Sequence, residues 1–207
     1  MQNMYVPFCT FPGVLIVYPI ERLMLTAVFA LAYFSLYWVQ INVLGEFDLL
    51  PMVSILFLPA GVKFIAMLVG RHWGVFGIAL GKVLVDIYSG SVGDLSEQIP
   101  HLLVWLVAPY ACMLIFLKQK DLSQTLDGLT TFNLIVLALI TSLVSSLATL
   151  FYFFGNYEPG YPLLKGVWSM TMGDFSGILV VLGLVVSVRR LMTWFAHRRQ
   201  TNSTTVE

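Results

Sequence analysis

Hydrophobic and polar positions along this chain fall into long blocks rather than into a residue-by-residue alternation. A helix needs about 20 mostly apolar residues to cross a hydrocarbon layer of about 30 Å, and six apolar stretches approach or exceed that length. They run approximately over Leu23–Leu44, Leu49–Val69, Trp73–Tyr88, His101–Leu117, Phe132–Phe154 and Leu163–Val188. A transmembrane barrel would instead show short segments of alternating polarity. The pattern therefore predicts an all-α integral membrane protein, folded as a six-helix transmembrane bundle.

Composition narrows the class further. Of the 207 residues, 58% are hydrophobic and 11% are charged, whereas charged residues make up about 25% of a soluble domain. The high hydrophobicity excludes a disordered chain, and two cysteines are too few for a disulfide scaffold. A formal net charge of zero argues against a nucleic-acid partner. The expected surroundings are the lipid bilayer.

The polar segments between the apolar stretches predict the orientation. The basic residues outside the stretches are Arg22, Arg71, Lys118, Lys120, Arg189, Arg190, Arg198 and Arg199. These residues lie before the first stretch, between the second and third stretches, between the fourth and fifth, and after the sixth. The other three loops contain acidic residues and neither Lys nor Arg. The positive-inside rule then places both termini in the cytoplasm, as expected for a multi-pass protein of a bacterial inner membrane.

Three regions are predicted along the chain. Residues 1–22 contain an apolar run too short to span the bilayer, bounded by Pro12 and Pro19, and are interpreted as an N-terminal interfacial segment. Residues 23–192 form the six-helix membrane domain. Residues 193–207 form a cytoplasmic tail, which is either an anchor at the membrane surface or a docking segment for a partner.

Four charged residues fall deep inside the predicted helices, namely Lys63, Lys82, Asp86 and Asp174, and Lys165 lies near the outer end of the sixth helix. An ionisable group in the bilayer core costs at least about 2.5–3.5 kcal/mol unless it is paired or hydrated, so the four deep residues are the candidate site. Lys82 and Asp86 have the i,i+4 spacing at which side chains on one helix meet. The alternatives are buried ion pairs that fix helix register, a ligand-binding cavity open to the periplasm, and a path for protons or ions.

Small residues predict which helices approach each other closely. The small-xxx-small pairs are Gly70 with Gly74 and Gly77 with Gly81, which lead into and along the third helix, and Gly173 with Gly177 in the sixth. This spacing lets helix backbones come into contact. We therefore expect the third and sixth helices to touch, which would bring Asp86 and Asp174 together.

Two further features have both a packing and a functional interpretation. Pro59 and Gly61 lie inside the predicted second helix, where a proline kink next to Lys63 would either be structural or mark a site. The fifth helix carries hydroxyl side chains that either bond to neighbouring helices or contact a ligand. They belong to Thr141, Ser142, Ser145, Ser146 and Thr149.

Motifs of catalysis are missing from the sequence. We find no phosphate-binding glycine loop, no HExxH helix and no nucleophile in a recognisable setting. The three histidines are scattered without the spacing of metal ligands. We therefore expect a protein that is not an enzyme and that has neither a metal nor a cofactor.

Two segments resemble a known family. LFLPAGVKFIAMLVGRHWGVFGIALGKVL resembles the second-to-third helix region of the bacterial membrane-associated sensor (MASE, first type) domains, and MGDFSGILVV resembles their Gly-Asp-x-x-Gly segment. The spacing is also similar to the membrane half of hexose-phosphate sensor kinases. The matching positions are Pro59, Gly61, Trp73, Gly81, Gly173, Asp174 and Gly177.

The resemblance implies a sensory membrane module that acts through a separate kinase or cyclic-di-GMP enzyme, or through another membrane subunit. We therefore expect a non-catalytic sensor or anchor that responds to a ligand or to the membrane environment. The alternatives are a small-solute transporter or the substrate-binding subunit of an uptake system, and an assembly subunit of a larger complex. A homo-oligomer is also compatible with the sequence.

Overall fold

The fold is taken from a computed structural model that describes residues 14–43, 48–50, 53–54, 56–90, 95–120, 129–153 and 163–203. Within these ranges the elements are α1 (Val14–Val43), β1 (Asp48–Leu50), β2 (Val53–Ser54), α2 (Leu58–Ile65), a π-helical turn (Ala66–Gly70), α3 (Arg71–Tyr88), α4 (Leu95–Gln119), α5 (Thr131–Phe153) and α6 (Leu163–Ser203). Much of the predicted interfacial segment, residues 1–13, and the last residues of the predicted tail lie outside the described residues. Residues 14–22 are helical and continuous with α1, and α6 continues into the predicted tail as far as Ser203.

Among the described residues, five helical segments are long and apolar enough to cross a membrane. They are Ile20–Val43, Leu58–Tyr88, Ile99–Gln119, Thr131–Tyr152 and Leu164–Trp194. Many of their large apolar side chains are exposed on the outside of the bundle, as expected where lipid is the solvent. The structure therefore confirms the prediction of a helical protein whose helices are long and apolar enough to cross a membrane.

The predicted second helix, Leu49–Val69, is wrong in its first half. Strands β1 and β2 pair there as an antiparallel hairpin, and the helix begins only at Leu58. Pro59 consequently stands in the first turn of α2 and does not kink a longer helix. A proline is well accommodated at that position, because the amides of the first turn have no partner within the helix.

The start of α2 is held inside the bundle by two neighbouring helices. The Phe57 amide donates to the carbonyl of Gly173 at 3.1 Å, and the Leu58 amide donates to Oε1 of Gln40 at 3.3 Å. Gly173 lies about 15 Å along α6 from its first residue, well inside the apolar segment Leu164–Trp194. The two bonds satisfy backbone amides that lipid could not.

The chain turns sharply where the π-helical turn Ala66–Gly70, which separates α2 from α3, meets Arg71, the first residue of α3. Arg71 has a φ of +48°, a conformation that favours glycine. A Cβ atom on Gly74 would lie 2.0 Å from the carbonyl oxygen of Ala66, although eight residues of one straight helix would span about 12 Å. The apolar segment Leu58–Tyr88 therefore consists of two arms that meet at a sharp turn.

The two arms pack on different helices. On α3, Cβ atoms at Gly77 and Gly81 would lie 2.6 Å from the carbonyl oxygen of Thr26 and 2.8 Å from that of Ala30, so α3 approaches α1 closely. The main neighbours of α3 and α6 are thus different helices: α3 lies against α1, and α6 lies against α2 and α5.

On α6, a Cβ atom at Gly177 would lie 2.0 Å from the carbonyl oxygen of Phe57, and one at Gly61 of α2 would lie 2.5 Å from Val181. The glycine pairs therefore mark close helix approaches, as their spacing predicts. The packing does not meet the expectation that the third and sixth helices touch and bring Asp86 and Asp174 together: α3 lies mainly against α1 and α6 against α2 and α5, and the two aspartates pair with different lysines. Small-residue spacing specifies closeness and not the identity of the neighbour.

Hydroxyl groups line the buried face of α5. Thr141 donates to the carbonyl of Leu137, and Thr149 donates to that of Ser145, each within the same helix. Ser146 likewise donates to the carbonyl of Ser142. The small side chains let α4 and α6 pack closely on both sides of α5.

Candidate functional site

A buried lysine joins four helices at the centre of the bundle. Its Nζ lies 3.8 Å from Oδ2 of Asp174 on α6, donates to Oγ of Ser145 on α5 at 2.7 Å, and lies 4.2 Å from the ring centroid of Trp105 on α4. The lysine is Lys63 of α2, and 5% of its side chain is exposed. We call these four residues the Lys63 cluster.

Ser145 connects the two charges. Its hydroxyl oxygen accepts the hydrogen bond from Lys63, whose Nζ lies 3.8 Å from the carboxylate of Asp174. An ammonium group can only donate and a carboxylate can only accept, so a hydroxyl beside both accepts from the one and can donate to the other. A hydroxyl at this position serves both charges without adding a third.

The electrostatic balance of the cluster depends on both charged partners being present. The Asp174 side chain is 15% exposed and the Lys63 side chain 5%, so little solvent screens the pair. Removing two charges from water costs several kcal/mol for each ion by order of magnitude, and their attraction offsets that cost only when the remaining hydrogen bonds are made. The hydroxyl of Ser145 and the ring of Trp105 supply those further contacts.

The second pair of candidate charges is local to α3. The ammonium group of Lys82 donates to Oδ1 of Asp86 one helical turn away, with side chains 23% and 16% exposed. The structure thus pairs Lys82 with Asp86, as their spacing predicts, and pairs Lys63 with Asp174. The two aspartates belong to separate ion pairs.

A small cavity adjoins the Lys63 cluster, with room for about one water molecule. Its lining comes from Ala60, Lys63, Phe64, Met67, Thr141, Ser142, Asp174 and Ile178. Sites that bind drug-sized molecules are clefts of about 300–1,000 Å³, so this cavity does not suit an organic ligand without rearrangement. Although polar residues are among those that line it, the surface of the cavity is almost wholly apolar.

No group of three or more His, Cys, Asp and Glu side chains within the described ranges could hold a metal ion. Cys112 is a free thiol, and Cys9 lies outside the described residues. The charged side chains of the site are arranged as pairs of opposite sign.

Sequence reasoning missed two members of the site region. Trp105 of α4 and Gln40 of α1 were not among the candidate residues, although the Trp105 ring lies against Lys63 and Gln40 binds the first amide of α2. Both side chains carry a hydrogen-bonding group and lie inside long apolar runs. Polar groups in such runs are expected to face another part of the protein and not the lipid. That signal could have identified Gln40.

No protein-family model, curated protein or solved structure matches this chain.

Proposed function

We propose that this chain is a non-catalytic membrane sensor or anchor module, in which the state of the Lys63 cluster is relayed to a partner through α6. The observation that carries the proposal is the continuity of α6, which holds Asp174 in the core and extends without a break to Ser203. From Asp174 to Ser203 an α-helix rises about 44 Å, more than the thickness of the hydrocarbon layer. A displacement at Asp174 would therefore reach the membrane surface along one rigid element.

The packing of α6 supports such a relay. Near Asp174 the helix is held by α2 and α5, with Thr171, Gly177 and Ile178 buried. From Gly183 to Val188 every residue is exposed, so few contacts oppose a tilt of this part. Motions are drawn from regions with few buried contacts.

The proposed setting is a bacterial inner membrane crossed six times, with both termini in the cytoplasm. Arg22 lies 5.5 Å over the ring of Trp73, which supports a common cytoplasmic end for α1 and the turn between α2 and α3. At the opposite end of these helices, Nε1 of Trp38 donates to the hydroxyl of Tyr88 at 3.2 Å. The α2 arm with its preceding hairpin serves as the second crossing in this scheme.

The proposed partner is a separate kinase or cyclic-di-GMP enzyme, or another membrane subunit. The resemblance to membrane-associated sensor domains supports this class of partner, since those domains precede such enzymes. The cytoplasmic end of α6 is the proposed contact, because it extends beyond the bundle.

A distance measurement tests the relay in the full chain. Spin labels are placed at exposed positions Phe132 of α5 and Met192 of α6, in a chain whose cysteines are replaced by serine. The distance distribution is measured in lipid nanodiscs by double electron–electron resonance for the parent chain and for Asp174→Asn. We expect the substitution to shift or broaden the distribution by several ångströms, because the charge that holds α6 to Lys63 is removed.

Asp86→Asn is the matched control, since Asp86 is bound to Lys82 on its own helix. It should leave the distance between α5 and α6 unchanged. An unaltered distribution in Asp174→Asn, with the helix content preserved, would count against a relay through α6.

The second candidate is a small-solute transporter, and the half-length α2 favours it. Discontinuous helices that begin near the membrane midplane commonly form transporter sites, where the helix start faces the substrate. Proton flux into dye-loaded proteoliposomes under an imposed potential tests a proton-coupled form. Flux that exceeds that of protein-free vesicles and disappears in Asp174→Asn would favour this candidate over the sensor.

A further inference from the structure

We propose that the corner of the bundle where α1 meets the turn between α2 and α3 binds the phosphate headgroup of an anionic lipid, through Arg22 and Arg71 beside Trp73. The site is independent of the function proposed above and requires only that these helices lie in a membrane. Three observations point to it: a strained arginine in the turn, a second arginine held over the neighbouring tryptophan, and the position of the turn at one end of α3.

Arg71 occupies a backbone position that favours glycine. Its φ is +48°, a conformation that is strained for any residue with a Cβ atom. Strained positions of this kind are concentrated at binding and active sites. Neither of the two ion pairs within the described ranges includes Arg71, and the residue is only partly buried. The guanidinium group of Arg71 is thus available to an anion from outside the chain.

The second cation of the site is Arg22 of α1. Its guanidinium carbon lies 5.5 Å from the ring centroid of Trp73, within the distance at which a cation is attracted to an aromatic face. Oγ1 of Thr26 donates to the carbonyl of Trp73 at 3.2 Å, and a Cβ atom on Gly70 would lie 2.7 Å from a side chain of α1. Because α1 packs on the residues that flank Arg71, it brings Arg22 and Arg71 to the same corner.

The turn is held on its other side by α4. Nδ1 of His72 lies 2.7 Å from the hydroxyl oxygen of Tyr110, and the two rings meet edge to face. Two helices therefore fix the start of α3, and the arginines are presented by a preformed part of the bundle.

The site lies at the level of a membrane surface. The 18 residues of α3 begin at Arg71 and rise about 27 Å, close to the hydrocarbon thickness of about 30 Å. Trp73 is 40% exposed, and tryptophan is enriched at the level of lipid headgroups. Lipid phosphates are therefore already present at the depth of the two arginines.

The chemistry of the corner suits an anionic headgroup. A guanidinium group presents a planar set of N–H donors that can bind phosphate oxygens in pairs, and basic pockets between transmembrane helices bind anionic headgroups. Glu21 adjoins Arg22 in the sequence, and one acid beside two arginines leaves the corner with a net positive charge. A zwitterionic headgroup would add an ammonium group that the arginines repel.

Native mass spectrometry of the full chain in dodecyl maltoside tests the site, because it gives the dissociation constant of the first bound lipid. We expect phosphatidylglycerol to bind at least about fivefold more tightly than phosphatidylcholine, the factor expected for one basic side chain beside an anionic lipid. Equal affinities would overturn the proposal.

Arg71→Gly separates binding from folding, because it removes the guanidinium group and also relieves the strained φ. It should weaken the binding of the first phosphatidylglycerol by about fivefold, with an equal or greater free energy of unfolding. Arg190→Gln is the matched control: Arg190 is an exposed arginine of α6, a helix that packs mainly on α2 and α5, and this variant should keep the parent affinity. Equal weakening in the two variants would indicate a general attraction to positive charge and contradict a site at Arg71.

Two soluble competitors distinguish a lipid from other anions. Inorganic phosphate and a poly-glutamate peptide, each at the concentration of the lipid, should leave phosphatidylglycerol bound, since neither has acyl chains to lie against the apolar helices. Displacement by phosphate would assign the corner to a free anion, and displacement by the peptide would assign it to an acidic protein. Either result would overturn the assignment to a lipid.

Discussion

Replacing Lys63 by methionine removes the ammonium group at the centre of the bundle and leaves Asp174 in place. The substitution keeps an unbranched side chain, so the main loss is electrostatic. Because the two side chains are 5% and 15% exposed, the pair is treated as buried. We expect Lys63→Met to lower the free energy of unfolding by about 3–5 kcal/mol, the usual cost of leaving one buried charge without its partner.

Removing both charges should be far less harmful. In Lys63→Met combined with Asp174→Leu, no unpaired charge remains, and apolar replacements of buried pairs are often neutral or stabilising. The hydroxyl of Ser145 loses both charged partners, which costs about 1–3 kcal/mol. The double variant should therefore be more stable than Lys63→Met alone.

The measurement is reversible unfolding in mixed micelles by titration with dodecyl sulfate, followed by tryptophan fluorescence. Lys82→Met is the comparison, because the Lys82 side chain is 23% exposed whereas that of Lys63 is 5% exposed, so more solvent screens the charge left on Asp86. We expect it to cost less than Lys63→Met. If the double variant were as unstable as Lys63→Met, or if Lys82→Met cost as much, the interhelical pair would not be the stabilising element argued above.

Three further predictions use the same titration. Gly177→Ala should lower the free energy of unfolding by about 1–3 kcal/mol, because the new Cβ would lie 2.0 Å from the carbonyl oxygen of Phe57 and overlap it. Gly183→Ala on the same helix is the control, because its Cβ would meet nothing within 4 Å, and it should be neutral or stabilising. Equal losses in the two variants would contradict the close approach at Gly177. The Arg71→Gly variant should be more stable than Arg71→Ala, because only glycine adopts the positive φ of this residue without backbone strain. That strain is about 1–2 kcal/mol. The reverse order of stability would argue against strain at the turn. Gln40→Leu should lower the free energy of unfolding by about 1–3 kcal/mol, because it leaves the first amide of α2 unpaired. Asn42→Leu should have a smaller effect, since Asn42 is exposed and bonds only within α1. Similar losses would show that the hydrogen bond from Gln40 to α2 is unimportant.

The positions of most helices were predictable from the sequence, because an apolar run of about 20 residues has few alternatives in a membrane. The exception is Leu49–Val69. A continuous apolar run does not distinguish a buried strand from a helix by its periodicity, so the pattern could not reveal that β1 and β2 take up its first part. The break at Arg71 was likewise predicted only as a loop between two helices.

The candidate site was predictable in its residues and only partly in its geometry. Lys82 and Asp86 lie on one helix, so their contact follows from their spacing. Lys63 and Asp174 are joined only because α2 packs on α6. The sequence contains the small residues that permit this packing, but their spacing is equally compatible with other neighbours.

The short α2 arm has a consequence for how the chain enters the membrane during synthesis. Eight residues of α2 and five of the π-helical turn extend about 20 Å, less than the hydrocarbon thickness of about 30 Å. Such a segment is a poor substrate for insertion by itself, and its start requires Gln40 from α1 and Gly173 from α6 to satisfy its amides. Since α6 is synthesised long after α2, we expect the start of the arm to gain its full set of hydrogen bonds only once α6 has been synthesised.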